Sequence, residues 1–302
     1  MILSVTPNPA LDHTLRLDEP LAAGAVARTD ETQFDPGGKG INVSKYLASL
    51  DAPTVATGFL GDPFGRLVRD RLREAGIESD FVTIDEPTRL NTTVLAPDGE
   101  YKINHDGPRV GPAAVDRVLD AIRRRDPETV VVAGSLPPGV GPDAVDRIAR
   151  AGDWETAADV GGGVLRDLEA PFSLCKPNRE ELAAATDAPV GTVEECLAAA
   201  EALRGAGFDR VVASLGPDGA VLATGDGTYH APAVETTVVD TVGAGDALLA
   251  GVLAALARDE SGDAALRAGV AVASRVVAVA GTRVPDFDGV LTAADDVPIS
   301  AY

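Results

Sequence analysis

Short runs of β-branched and apolar residues alternate along this chain with stretches in which apolar residues recur every three or four positions. Ile2–Val5, Thr54–Gly58, Thr129–Ala133, Arg210–Ser214 and Ala220–Ala223 predict strands. The first four read as central and parallel, because their apolar residues are not interleaved with polar ones and both faces must then be buried. The helical period predicts helices over Gly40–Ser49, Gly65–Ala75, Pro112–Arg124, Pro142–Ala151, Arg179–Thr186, Val193–Ala206 and Ala244–Arg258. Such alternation implies right-handed crossovers and an open α/β sheet, with ligands gathering at the carboxyl ends of the strands.

Two stretches break the alternation. Residues 13–34 and 91–104 carry short polar/apolar alternations and turns such as Pro97-Asp98-Gly99, which predict antiparallel strands. They either form a small sheet covering the site as a lid or are hairpin decoration of the main fold. There is no internal repeat, low-complexity linker or clean boundary, so residues 1–302 read as one domain with these two segments inserted.

Composition narrows the class. With 302 residues, 45% hydrophobic and 24% charged, the chain has the makeup of a folded globular protein. Its net charge of −21 at pH 7 repels phosphate backbones and anionic membranes, so neither nucleic acid nor membrane is an expected partner. Lys39, Lys45, Lys102 and Lys176 are the only lysines, the other basic residues being arginine; with the acidic excess this suggests either a protein kept soluble in high salt or simply an acidic one. Cys175 and Cys196 form neither a disulfide framework nor a zinc motif. The N-terminus lacks the pattern of a signal peptide, and the late apolar segment from Gly269 to Gly281, interrupted by Arg275, is too short to span a bilayer. A cytoplasmic location is expected.

The sharpest chemical signal is Asp240-Thr241-Val242-Gly243-Ala244-Gly245-Asp246-Ala247, running into an apolar helix. Glycines at a helix start let the backbone approach an anion closely, and free amides of the first turn stabilise negative charge. Asp246 is then a helix-stabilising carboxylate or a general base beside a transferred phosphoryl group. Asp35-Pro36-Gly37-Gly38-Lys39-Gly40-Ile41-Asn42 is a second glycine turn entering a helix. It lacks the ending of a Walker loop, but Lys39 and Asn42 suit a ligand's phosphate and hydroxyls, unless the loop is only a tight turn with a solvated lysine. In Lys176-Pro177-Asn178-Arg179-Glu180-Glu181, after the strand end Phe172–Leu174, Asn178 and Glu181 either serve a hydrated magnesium ion or cap a helix. Ser214-Leu215-Gly216-Pro217-Asp218-Gly219 cradles a nucleotide phosphate or is a plain turn.

Taken together with Gly134-Ser135-Leu136-Pro137-Pro138-Gly139, the order of these motifs resembles the ribokinase-like (PfkB) carbohydrate kinases over nearly the whole chain. Thr6-Pro7-Asn8-Pro9-Ala10-Leu11-Asp12, Pro36–Val43, Thr88-Arg89-Leu90-Asn91 and Ile103-Asn104 are similar to the hexose-phosphate branch of that family. The resemblance implies a three-layer α/β/α fold with a mostly parallel central sheet and a small β-sheet lid. It also implies ATP as phosphoryl donor, Mg2+ as cofactor, a sugar phosphate as acceptor and a homodimer formed through the lid.

Carried residue by residue, it makes Asp246 the general base and Gly243, Ala244 and Gly245 the anion hole, and it sets Asn178, Ser214, Gly216, Gly219, Gly243 and Gly245 along ATP. Asn178 and Glu181 organise magnesium through water. Asp12, Gly37, Gly38, Lys39, Asn42 and Asn91 hold the acceptor, while Arg28, Lys39, Arg89 and Ser135 meet its ester phosphate. Val238–Asp240 and Ala271–Arg275 are the expected adenine walls. The implied acceptor is the 6-hydroxyl of fructose 1-phosphate, with fructose 6-phosphate or tagatose 6-phosphate as alternatives. A nucleoside kinase and a non-catalytic sugar-phosphate sensor are more distant readings.

Overall fold

The apolar runs fold as strands buried on both faces. The computed structural model describes residues 1–281 and 283–302. Its first half contains β1 (Ile2–Thr6), β2 (Ala10–Arg16), β3 (Thr32–Gly37), α1 (Lys39–Ser49), β4 (Thr54–Leu60), α2 (Phe64–Glu74), β5 (Val82–Thr83), β6 (Arg89–Ala96), β7 (Gly99–Ile103), α3 (Pro112–Arg125) and β8 (Thr129–Ala133). There follow α4 (Pro142–Ala149), β9 (Glu155–Asp159), α5 (Gly162–Arg166), β10 (Leu174–Cys175), α6 (Arg179–Thr186), α7 (Val193–Gly205) and β11 (Val211–Ser214). The chain closes with β12 (Ala220–Thr224), β13 (Gly227–Ala231), α8 (Ala244–Leu256), α9 (Gly262–Val276), α10 (Val290–Ala293) and β14 (Ser300–Ala301).

Ten strands form the main sheet in the order β14-β13-β12-β11-β10-β9-β8-β1-β4-β5. From β5 to β11 neighbours pair in parallel; β12, β13 and β14 add antiparallel strands at one end. Alternate side chains supply the two cores, as a period of two requires. Leu3 and Val5 with Val130 and Val132 face α3, α4 and α7, whereas Ile2, Val131 and Ala133 face α1, α8 and α9. Each such fully buried Val or Leu contributes about 1.5–3 kcal/mol relative to exposure. The expected three-layer α/β/α fold is thus the observed one.

The expected helices are all present, with ends moved by one or two residues. Several elements with weak signals escaped the pattern, among them the short β5, β13, β14, α5 and α10, the alanine-rich β9, and α9, an Ala/Val/Gly helix buried on the face toward α8. Those two helices touch through glycines, since a Cβ on Gly251 would meet the backbone of Ala268 and Gly269 and one on Gly269 the carbonyl of Leu248. That close packing fixes the axis of α8 and hence its N-terminus. The strand anticipated to end at Phe172–Leu174 is instead the two-residue β10.

The lid is a separate four-stranded sheet, β3-β2-β6-β7. It begins earlier than the sequence pattern suggests, at Ala10 and Arg89, and no strand runs through residues 17–31. The expectation of antiparallel pairing holds for β2 with β3 and β6 with β7, but the central pair β2 and β6 is parallel. The cause is topological: β2 follows β1 and β6 follows β5, two strands that leave the main sheet at the same edge in the same direction.

Candidate active site

Polar residues collect where the parallel strands end, between the main sheet and the lid. Asp159 is the last residue of β9, Lys176 follows β10, Ser214 ends β11 and Asn8 follows β1. The helices α1 and α8 both start at this edge, each after a glycine with positive φ, Gly38 at 121° and Gly243 at 80°. Only glycine adopts such values without strain, so both turns bring bare backbone to the site.

Asp246 lies buried in the first turn of α8 and accepts a hydrogen bond at 2.8 Å from Nδ2 of Asn42 in the first turn of α1. Burial pushes its carboxyl up to about 6, with the charge of Asp159 adding to the rise and Asn42, Lys176 and Lys39 opposing it. The amides of the first helical turn have no intrahelical acceptors. That of Ala244 leans on the carbonyl of Thr241 at 3.3 Å, a long bond that an anion would replace.

Behind this turn sits a buried charge network. Asp159, fully buried, meets Lys39 Nζ at 2.8 Å through Oδ1 and Lys176 Nζ at 3.3 Å through Oδ2. Lys39 also lies 3.5 Å from Glu181 Oε1. Burial alone would lower the Lys39 ammonium, but Asp159 and Glu181 raise it above the usual lysine value. Lys176 packs against the helix start, its Nζ 3.2 Å from where a Cβ on Gly245 would lie.

On the lid side, Asp12 accepts from Asn91 Nδ2 at 2.9 Å, and its carboxylate lies where a Cβ on Gly37 would be. Burial raises its pKa, while the Asn91 hydrogen bond, Lys45 and Arg89 pull the other way. Arg89 is held by main-chain carbonyls, donating to Asn8 through Nε and Nη2 at 3.2 and 3.0 Å and to His105 through Nη1 at 3.1 Å. Asn8 in turn donates from Nδ2 to the carbonyl of Asp106 at 2.8 Å and to Ser135 Oγ at 3.2 Å. Lys45 donates to the carbonyl of Pro36 at 2.7 Å, and burial lowers its pKa against the pull of Asp35, Asp12 and Asp246. Asn8 Oδ1, Asn42 Oδ1 and Asn91 Oδ1 are buried without a hydrogen-bond partner among the described residues, a set of acceptors suited to hydroxyl and water donors.

The structure therefore joins Asp12, Gly37, Gly38, Lys39, Asn42, Arg89, Asn91, Ser135, Glu181 and the 243–246 turn into one region. It does not join Arg28, which is exposed on the 17–31 segment and lines a recess with Leu17, Asp18 and Pro20. Asn178 and Glu181 form a reciprocal capping box at the start of α6, each side chain accepting the other's amide at 2.8 Å, so the helix-cap reading is realised. Ser214 is bridged to Asn178, and Gly216 and Gly219 bracket a single 3₁₀ turn in which Gly219 lies against the backbone of Ala231 to Ala233. Beside this turn is a recess of about 550 Å³ lined by Pro232–Thr236 and by Ala271, Ser274 and Arg275 of α9. Val238–Asp240 do not line this recess: the amides of Val239 and Asp240 bond to the carbonyl of Val277.

Sequence reasoning gave no role to Asp159, Lys45, Asn8 or Tyr46, and named Lys176 only as part of a motif. The one available signal for Asp159 was an acidic residue just before Gly161-Gly162. Lys45 and Tyr46 follow from helical spacing, being three and four residues beyond Asn42 on α1.

Comparison with known proteins agrees with this geometry. A family profile described as pfkB family carbohydrate kinase matches residues 6–287. The chain is 58% identical over 292 residues to the 1-phosphofructokinase of Haloferax volcanii, covering 97% of this chain and 96% of that one. It is 34% identical over 257 residues to the D-tagatose-1-phosphate kinase of Bacillus licheniformis, covering 83% and 84%. The crystal structure of phosphofructokinase-2 from Escherichia coli in complex with substrates and products superposes with a TM-score of 0.88 at 25% identity, covering 98% and 99%.

Proposed function

The chain belongs to the pfkB family of carbohydrate kinases, and from that membership we propose that it transfers the γ-phosphoryl group of ATP to the 6-hydroxyl of fructose 1-phosphate, giving fructose 1,6-bisphosphate and ADP. The observation that carries the chemistry is the buried Asp246 carboxylate, oriented by Asn42 at the glycine-led start of α8. Identity of 58% to a 1-phosphofructokinase supports the acceptor.

Asp246 takes the proton of the acceptor hydroxyl as that oxygen attacks the γ-phosphorus and the bond to ADP breaks. A carboxyl pushed up to about 6 is mostly ionised at pH 7 yet basic enough to accept a proton in the transition state. The amides of Gly243, Ala244 and Gly245, with the helix dipole, stabilise charge on the phosphoryl oxygens. Asp12, with Asn42 and Asn91, orients the sugar hydroxyls over the bare backbone of Gly37 and Gly38. Lys39, Arg89 and Ser135 receive the ester phosphate, with Lys45 as a further cation nearby; Arg28 is not needed for this pose. Ser214, Gly216, Gly219 and Asn178 line the path of the ATP phosphates, and the recess against α9 suits an adenine ring.

The residues present fit a hydrated Mg2+ rather than a protein cage. Among the described residues no group of three or more His, Cys, Asp or Glu side chains is arranged to hold a metal, whereas Glu181 Oε1 is held only by the 3.5 Å contact with Lys39 and Asp159 lies beside it on the same lysine. When bound, the ion neutralises phosphate charge; Asp159, Glu181 and Asn178 would hold its waters.

Tagatose 1-phosphate is the second acceptor to weigh, because a relative at 34% identity is a kinase of that sugar phosphate. We also propose a homodimer through the lid, supported by the exposed outer strand β7, with Tyr101 and Ile103 uncovered; a constant monomer mass in sedimentation across concentration would refute it. The free, buried Cys175 and Cys196 support a reducing, cytoplasmic setting, and no helix among the described residues is long and apolar enough to cross a membrane.

The test is initial-rate activity with MgATP in molar KCl across fructose 1-phosphate, tagatose 1-phosphate, fructose 6-phosphate and tagatose 6-phosphate. A kcat/KM highest for fructose 1-phosphate by about tenfold, some 1.4 kcal/mol of transition-state discrimination, is the expected result. Preference for a 6-phosphate would overturn the acceptor assignment, and absence of turnover on all four would overturn the kinase mechanism.

A further inference from the structure

Helix α1 presents Lys39, Asn42 and Tyr46 at positions i, i+3 and i+7, one face of a helix. Lys39 reaches Asp159 and Asn42 reaches Asp246. Tyr46 has no such pairing: it is fully buried, and its hydroxyl has no hydrogen-bond partner among the described residues. The hydroxyl is aimed at the turn before α8, where a Cβ added to Gly243 would come within 2.5 Å of it. The ring is backed edge-on by Phe287, 6.1 Å between centroids.

We propose that Tyr46 is a positioning residue for phosphoryl transfer, its hydroxyl holding the Gly243 turn in the shape that receives the transferred group. A buried hydroxyl without a partner is unfavourable, and phenylalanine would fill the same space without that cost, so packing alone does not account for the oxygen. A tyrosine hydroxyl has one proton to donate and lone pairs to accept with. In the turn it touches, the amide of Ala244 leans on the carbonyl of Thr241. When a phosphoryl oxygen takes the amide of Ala244, the carbonyl of Thr241 loses its donor, and the Tyr46 hydroxyl, aimed at this turn, supplies one from behind. The residue never touches substrate; it acts through Gly243. Because Tyr46 and Asn42 share α1, placement of the acceptor loop and shaping of the anion hole are tied to one rigid helix.

This inference rests on the proposed kinase mechanism. Tyr46→Phe is compared with the unmodified enzyme in kcat, in KM for ATP and sugar phosphate, and in thermal stability with and without MgAMP-PNP. Expected are an unliganded Tm equal to or above that of the parent, a smaller nucleotide-induced rise, kcat lowered by about tenfold, and an unchanged KM for the sugar phosphate. Phe287→Leu, which loosens the ring but keeps the hydroxyl, is expected to retain kcat. Parental kcat and nucleotide-induced shift in Tyr46→Phe, or an equal loss in Phe287→Leu, would overturn the inference. Asp246→Asn on the same preparations separates the two levels: if it turns over normally the kinase mechanism itself fails, and if it is inactive while Tyr46→Phe is unimpaired only the role of Tyr46 fails.

Discussion

Nδ2 of Asn42 lies 2.8 Å from Oδ2 of Asp246, both residues buried and 204 positions apart in sequence. One side chain belongs to the helix that begins at the Gly37-Gly38 turn, the other to the helix that begins at the Gly243 turn. In the proposed mechanism this single hydrogen bond directs the Asp246 carboxylate toward the acceptor side of the site.

Removing it tests that role. The bond lowers the pKa of Asp246, so Asn42→Ala is expected to raise it further and to move the acid limb of the kcat profile to higher pH. At pH 7 kcat should fall by about tenfold, within the range assigned to general-base catalysis. A pH–rate profile with an unmoved acid limb would contradict the orientation assigned to Asn42.

The raised pKa of Asp246 also has a stability consequence with a definite sign. A carboxyl at about 6 in the folded state and near 3.8 unfolded binds more protons when folded, so its contribution to stability is complete below pH 4 and lost as pH rises through 6. Asp246→Asn should therefore be more stable than the parent at pH 7, by of the order of 3 kcal/mol, with the difference vanishing below pH 4. Denaturant titrations at pH 4 and 7 read this directly, and an equal effect at both would show that burial of the charge is not its source.

Gly37 is required by contact rather than by flexibility. A Cβ there would occupy the volume of the Asp12 carboxylate, so Gly37→Ala is expected to raise KM for the sugar phosphate at least tenfold, about 1.4 kcal/mol, while KM for ATP stays within about twofold. Parallel loss on both substrates would point to a general disturbance of the loop instead.

Asp159 supports two lysines at once. Asp159→Ala leaves Lys176 buried and unpaired and Lys39 with only the longer contact to Glu181, and should cost about 3–5 kcal/mol in unfolding free energy. Urea unfolding in molar KCl measures it, and a loss below about 1 kcal/mol would mean that water replaces the pair without penalty.

Much of this was legible in the sequence because the determinants are local. The Gly-Ala-Gly-Asp helix start, the Gly-Gly-Lys turn and the alternation of strand and helix each depend on neighbours a few residues apart, and their positions held to within a residue or two. Asp159 was hidden because its strand, Glu155–Asp159, is made of small residues whose burial comes from flanking strands rather than from any periodicity of their own. The parallel pairing of Ala10–Arg16 with Arg89–Ala96 depends on which sheet edge both strands leave, which no local alternation encodes. Arg28 shows what charge alone leaves open: its guanidinium suits a phosphate, but its placement on the exposed 17–31 segment follows from the chain around it.

Whether Asp246 takes the acceptor proton beside the Gly243 turn is read from the single-turnover rate of Asp246→Asn with fructose 1-phosphate and MgATP. Asparagine keeps the shape and the hydrogen bond from Asn42 but accepts no proton. The expected result is a rate lowered by about 10²–10⁴ with binding of both substrates preserved. A rate within about tenfold of the parent would refute this role and leave Asp246 as a helix-stabilising carboxylate.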